Sequence, residues 1–173
     1  MSGYGLDEEF HLSTVLEKNL KVKGFDVRVI NASVSGDTSS GGLNRINWLI
    51  ENKKIDIVIL CLGANDMLRG TNPNIIKQNL KQIIERFQEK NITILLAGMI
   101  SLETFGNKYK KSFDEIYPEL ARKFRISYLP FLLDGVALNP KLNLRDGKHP
   151  NALGVRQISI NLEKKLISLL KKD

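Results

Sequence analysis

Apolar positions along this chain alternate between stretches with a period near 3.6 residues and short continuous runs, the pattern of helices interleaved with buried strands. Residues 8–21 place Leu12, Val15, Leu16 and Leu20 on one face and predict a helix. The run Phe25-Asp26-Val27-Arg28-Val29-Ile30 predicts a strand, residues 42–52 a helix with Leu43, Ile46 and Leu49 inward, and residues 55–62 a second strand. Asn72 is placed to cap, and Pro73 to open, a long helix reaching residue 90, with Ile76, Leu80, Ile83, Ile84 and Phe87 as its apolar stripe. Beyond it the pattern predicts a strand at Thr93–Ala97, a helix over 108–124, a short strand at Ser127–Leu129, a long loop and a final amphipathic helix at Ala152–Leu170. The strands are near-continuous apolar runs, as in a parallel sheet covered on both faces. No linker, repeat or low-complexity stretch interrupts them, so residues 1–173 read as a single α/β domain.

Composition narrows the function. At 173 residues, such a domain buries roughly 70% of the surface of its unfolded chain. Its hydrophobic fraction of 42% and charged fraction of 26% are ordinary, and no apolar run approaches the roughly 20 residues of a membrane span, so no integral membrane segment is expected. The net charge of +7 invites a nucleic-acid or anionic-membrane partner. The lysines are scattered over helix faces and Lys171-Lys172, however, without the interleaved aromatics of a nucleic-acid platform, so they read as a solvated surface and no nucleic acid is expected. The single cysteine, Cys61, excludes an internal disulfide and reads as a small hydrophobe within a strand. Two histidines and one cysteine do not supply the converging ligands zinc needs, so neither metal nor cofactor is expected. His11 reads as a boundary residue of the first helix. A monomer is expected; periplasmic and cytoplasmic locations both stay open.

The chemistry concentrates in Arg145-Asp146-Gly147-Lys148-His149-Pro150-Asn151. Gly147 lets the backbone fold tightly enough for the Asp146 carboxylate to reach Nδ1 of His149, leaving Nε2 free to take a proton from a hydroxyl. A surface turn would favour the same residue types. Two further segments follow strands: Asn31-Ala32-Ser33-Val34-Ser35-Gly36-Asp37-Thr38 and Gly63-Ala64-Asn65-Asp66. Strand ends of open parallel sheets are where ligands bind, and a glycine N–H with an asparagine amide can together make an oxyanion hole, although Gly36 and Asn65 would also shape ordinary turns.

These three blocks, in this order and along the whole chain, resemble the SGNH hydrolases, also called the GDSL esterase and lipase family. The resemblance is closest to the bacterial branch of acyl-CoA thioesterase/lysophospholipases and arylesterases, through residues 31–38, 63–70, Ile116-Tyr117-Pro118 and 146–151. It implies a flavodoxin-like, three-layer α/β/α fold. It also implies Gly36 as a backbone oxyanion donor, Asn65 as a side-chain oxyanion donor, Asp146 as the orienting carboxylate and His149 as the general base.

The family's nucleophilic serine stands in a Gly-Asp-Ser-Leu turn after the first strand, shortly before a segment similar to Ser2-Gly3-Tyr4-Gly5. By that alignment it falls about two residues before Met1. The resemblance therefore implies an N-terminally truncated domain whose first, central strand is missing between the strands ending near Ile30 and Leu62. A start codon placed too late is the simpler of two explanations, because losing a central strand would leave two rows of backbone groups unpaired. Ser2, Ser33, Ser35 and Ser101 read as turn or strand-end residues, and the chain as written is expected to be inactive.

The implied reaction is hydrolysis of a small acyl or aryl ester or thioester through an acyl-enzyme. Met67, Leu68 and Leu138 are candidate walls of an acyl groove, with core packing as their other reading, and Arg69 could steer an anionic head group. Two non-enzymatic readings stay open: an inactive SGNH-like module that binds lipid or another small ligand, and a phosphate binder using Ser35 to Gly42 as an anion cradle before a helix.

Overall fold

The computed structural model describes residues 3–171. In chain order these form α1 (Leu12–Val22), α2 (Ser39–Asn52), β1 (Ile57–Leu60), α3 (Ala64–Leu68), α4 (Pro73–Glu89), β2 (Thr93–Ala97), α5 (Asn107–Asp114), α6 (Ile116–Phe124), β3 (Ser127–Leu129) and α7 (Ala152–Leu170), with 3-10 turns at Glu8–Phe10 and Glu103–Phe105. They gather into two units, one holding residues up to Ser35 and from Leu132 onward, the other Gly36–Phe131. No helix among the described residues is long and apolar enough to cross a membrane.

The unit Gly36–Phe131 is built on a parallel sheet of order β1-β2-β3, with Ile57 opposite Thr93 and Leu95 opposite Ser127. In α4, Ile76, Leu80, Ile83, Ile84 and Phe87 are all at most 2% exposed, and α4 packs on α2, α6 and β2. Burying each such side chain contributes about 1.5–3 kcal/mol. The predicted cap holds, since Asn72 Oδ1 accepts from Asn74 N–H at 2.9 Å. Thr38 Oγ1 accepts from Gly41 N–H at 3.2 Å, which starts α2 at Ser39, three residues ahead of the periodic pattern.

The predicted helix over 108–124 is two helices. Pro118 has no N–H to give the Asp114 carbonyl four residues before it, so the ladder breaks where α5 ends, and α6 begins two residues later. The strand predicted over 55–62 is confined to Ile57–Leu60.

In the other unit α1 lays Leu12, Leu16 and Leu20 against α7, whose buried residues include Val155, Ile158, Leu162 and Leu166. The α7 boundaries are those the sequence predicts.

The predicted strand over 25–30 is a correction: these residues form none. Their burial still alternates, with Phe25, Val27 and Val29 half-buried and Asp26, Arg28 and Ile30 exposed, as a strand's would. A strand also requires a neighbour's hydrogen bonds, and here a side chain stands in for the ladder: Val29 N–H donates to Glu17 Oε2 at 2.7 Å. The Glu17 carboxyl is lowered by its bond from Lys21 and then by this amide. β1 likewise pairs only with β2 among the described residues.

Candidate active site

The loop before α7 doubles back through an antiparallel bridge between Asn143 and Pro150. Leu144 N–H donates to the His149 carbonyl at 2.7 Å, and Asn151 N–H to the Leu142 carbonyl at 3.0 Å. Gly147, at φ +68°, makes the corner in a region L side chains avoid, and its N–H closes on the Leu144 carbonyl at 2.9 Å. Within this turn Asp146 Oδ1 accepts from the Lys148 and His149 amides at 2.8 and 3.0 Å, while Oδ2 lies 2.6 Å from His149 Nδ1.

The His149 amide, the His149 ring and the Lys148 amide together hold the Asp146 carboxyl well below the usual carboxylate range. An ionised carboxylate only accepts, so Nδ1 carries the proton of the bond and Nε2 of the neutral ring is left as a base. Both side chains stay open, with 46% of His149 and 37% of Asp146 exposed. Tyr4 lies against the imidazole with ring centroids 4.4 Å apart and planes tilted by 33°.

Asn151 anchors this turn to α7. Its Oδ1 accepts from Leu153 and Gly154 N–H at 3.0 and 3.1 Å, and its Nδ2 donates to the Lys141 and Asn143 carbonyls at 2.9 and 3.3 Å. The buried Asn143 amide in turn donates to the Val136 and Asn139 carbonyls at 2.7 and 2.8 Å.

In the sheet unit the chain leaves β1 through Gly63, whose φ of +110° turns it into α3. A Cβ at Gly63 would lie 2.3 Å from the Tyr117 hydroxyl oxygen, and that hydroxyl donates to the Leu62 carbonyl at 2.9 Å. Burial pushes the Tyr117 phenol up, so it stays a neutral donor there. Beyond the bend, Asn65 Nδ2 donates one proton to the Asp37 carbonyl at 2.8 Å, which leaves the second amide proton for another acceptor. Arg69 Nη2 donates to the Gly36 carbonyl at 3.0 Å, and Arg45 pairs with Asp37 at 2.9 Å.

The structure thus brings Asp146 and His149 into direct contact and ties Asn65 to the residue after Gly36. The candidate groove walls differ in what they offer a ligand. Met67 is 7% exposed, Leu68 49% and Leu138 79%, so Leu68 and Leu138 present surface whereas Met67 packs inward. Cys61 is half-buried, and burial raises its thiol. Ser101 is buried and bonded to the Leu102 carbonyl, and Ser33 N–H closes an Asx turn on Asn31. Met1, Ser2 and Lys172 lie outside the described residues.

Three residues went unassigned by sequence reasoning. Tyr4 and Asn151 were visible only as motif neighbours. Asp66 is 2% exposed, with its carboxylate on the Ser39 N–H at 2.8 Å and the Ser39 hydroxyl at 2.7 Å. That carboxylate already occupies the N-terminus of α2, and Asp37 lies in the loop before it, which argues against an anion cradle over Ser35 to Gly42.

Comparison with known proteins defines the class. AlinE4, a SGNH-hydrolase family esterase of known crystal structure, matches with a TM-score of 0.81 at 40% identity, over 97% of this chain and 90% of that one. The fold is accordingly the α/β fold of SGNH hydrolases. Esterase TesA of Pseudomonas aeruginosa is 36% identical over 146 residues, covering 84% of this chain and 73% of that protein. Arylesterase of Vibrio mimicus is 35% identical over 149 residues, covering 86% and 74%. Residues 1–157 match the GDSL-like Lipase/Acylhydrolase family, and the chain belongs to it. By family it is an ester hydrolase acting on small-molecule esters.

Proposed function

We propose that this protein hydrolyses small acyl or aryl esters and thioesters through a serine acyl-enzyme, with His149 as general base and Asp146 as its orienting carboxylate. The observation that carries the reading is the 2.6 Å contact between Asp146 Oδ2 and His149 Nδ1 on a turn that also saturates Asp146 Oδ1. In the first half-reaction His149 Nε2 takes the serine proton and then returns it to the leaving oxygen or sulfur. In the second it activates water against the acyl ester, and Asp146 steadies the imidazolium in both.

Gly36 N–H and the second proton of the Asn65 amide are assigned to the developing oxyanion, each worth a factor of about 100 to 1,000 in turnover. Leu68 and Leu138, exposed and apolar, are assigned to the acyl or aryl portion, with Met67 as the buried member of the candidate set. The names of Esterase TesA and Arylesterase support esters as the substrate class, and the arylesterase supports aryl leaving groups.

The nucleophile is assigned to a serine in a Gly-Asp-Ser-Leu turn, which the 173-residue sequence does not contain. The test compares this chain with a serine-bearing form that carries the turn and its strand ahead of Gly3. Para-nitrophenyl butyrate and a short acyl-thioester are the substrates. Turnover is expected only in the serine-bearing form, abolished by His149→Ala and lowered about 100-fold or more by Asn65→Ala. A folded serine-bearing form without turnover on either substrate would favour a ligand-binding module instead.

A further inference from the structure

We propose that Asp66 is a positioning residue for the oxyanion donors, an inference that rests on the reading of Gly36 and Asn65 above. Asp66 is buried and cannot touch substrate. Its two carboxylate oxygens divide between the amide and the hydroxyl of a single residue, Ser39, at 2.8 and 2.7 Å. Ser39 is itself fully buried, and its hydroxyl oxygen accepts from Asn79 Nδ2 at 3.0 Å, which roots the clamp in α4.

Ser39 is the first residue of α2, and residues 36–38 directly precede it. Three links therefore join α3 and its C-cap to this one segment: Asp66 to Ser39, Asn65 to the Asp37 carbonyl and Arg69 to the Gly36 carbonyl. The Asp66 link alone is both buried and doubled, so it sets the spacing that the other two follow. An oxyanion hole acts through donors fixed before charge develops, so a residue that fixes the interval between Asn65 and Gly36 acts on turnover without meeting the substrate.

The geometry also explains why the residue is an aspartate. Asparagine offers one acceptor oxygen, and its NH2 would face either the Ser39 amide, which cannot turn away, or the Ser39 hydroxyl, which would have to rotate.

The experiment uses Asp66→Asn, with Ser39→Ala as a milder second variant that removes only the hydroxyl. In the 173-residue chain, NMR should find one Asn65 side-chain amide proton protected from exchange, with protection falling roughly tenfold or more in either variant if the clamp holds the Asp37 carbonyl in place. In the serine-bearing form Asp66→Asn should lower kcat about 10- to 100-fold with KM within about twofold, and only about twofold further when Asn65 is already alanine. Unchanged Asn65 protection in both variants, or the same fold-loss of kcat with and without Asn65, would overturn the proposal. Undiminished kcat in Asn65→Ala would instead sink the oxyanion reading, while the exchange measurement still decides whether Asp66 holds Asn65.

Discussion

Replacing Asn151 with alanine should loosen the turn that carries Asp146 and His149 while touching neither. The side chain makes four bonds: two from the first amides of α7, at 3.0 and 3.1 Å, and two to carbonyls of the loop, at 2.9 and 3.3 Å. Loss of the cap costs about 1 kcal/mol, and freeing two partly solvated carbonyls adds about another 1 kcal/mol. For a chain of this size a total of about 2 kcal/mol lowers Tm by roughly 4–8 °C. Thermal melting followed by circular dichroism measures the shift. Asn151→Ser keeps a capping oxygen but lacks the amide donor, so it should recover about half of the loss. Amide exchange at Leu144 and Asn151, whose N–H groups close the turn, should quicken in both variants. An alanine variant that melts with the parent protein, or a serine variant no better than alanine, would refute this division of roles.

Two further variants probe charge. Asp146→Asn places an amide donor against Nδ1, which favours the ring with its proton on Nε2, and kcat on para-nitrophenyl butyrate should fall about 10,000-fold in the serine-bearing form. A loss under tenfold would remove Asp146 from the mechanism. Glu163, buried where α1 meets α7, has desolvation working to raise its carboxyl, yet bonds from Lys23, Asn19 and Ser159 outweigh it and leave the group below its ordinary 4.5. A depressed carboxyl contributes stability that is full above 4.5 and lost as pH falls through the lower folded value. The urea midpoint of Glu163→Gln should thus lie below that of the parent at pH 7 and approach it in acid, whereas a constant gap would contradict the sign of the shift.

Much of the fold was legible because helix faces and buried runs depend on local spacing. The strands at Thr93–Ala97 and Ser127–Leu129 and the helix at Ala152–Leu170 lie where the pattern puts them. Phe25 to Ile30 shows the limit: alternation records which side chains turn inward, but a ladder depends on a neighbour that the pattern does not specify. The break between α5 and α6 was readable in Pro118 and was overridden by the apolar periodicity around it.

At the candidate site, the Asp146 and His149 contact was legible because three-residue spacing around a glycine constrains it locally. Asp66 was not, since its partner Ser39 lies 27 residues away and only the tertiary fold brings the two together. Its one sequence signal was a carboxylate placed directly after Asn65 at the end of an apolar run.

Covalent labelling with a fluorophosphonate tests the central claim most directly, because such reagents phosphonylate a serine activated by a general base and an oxyanion hole. Intact-mass and peptide analysis of the serine-bearing form should show a single adduct on the Gly-Asp-Ser-Leu serine, lost in His149→Ala, and no adduct on the 173-residue chain. An adduct on Ser33, Ser35, Ser101 or any other serine of this sequence, or labelling indifferent to His149, would contradict the account.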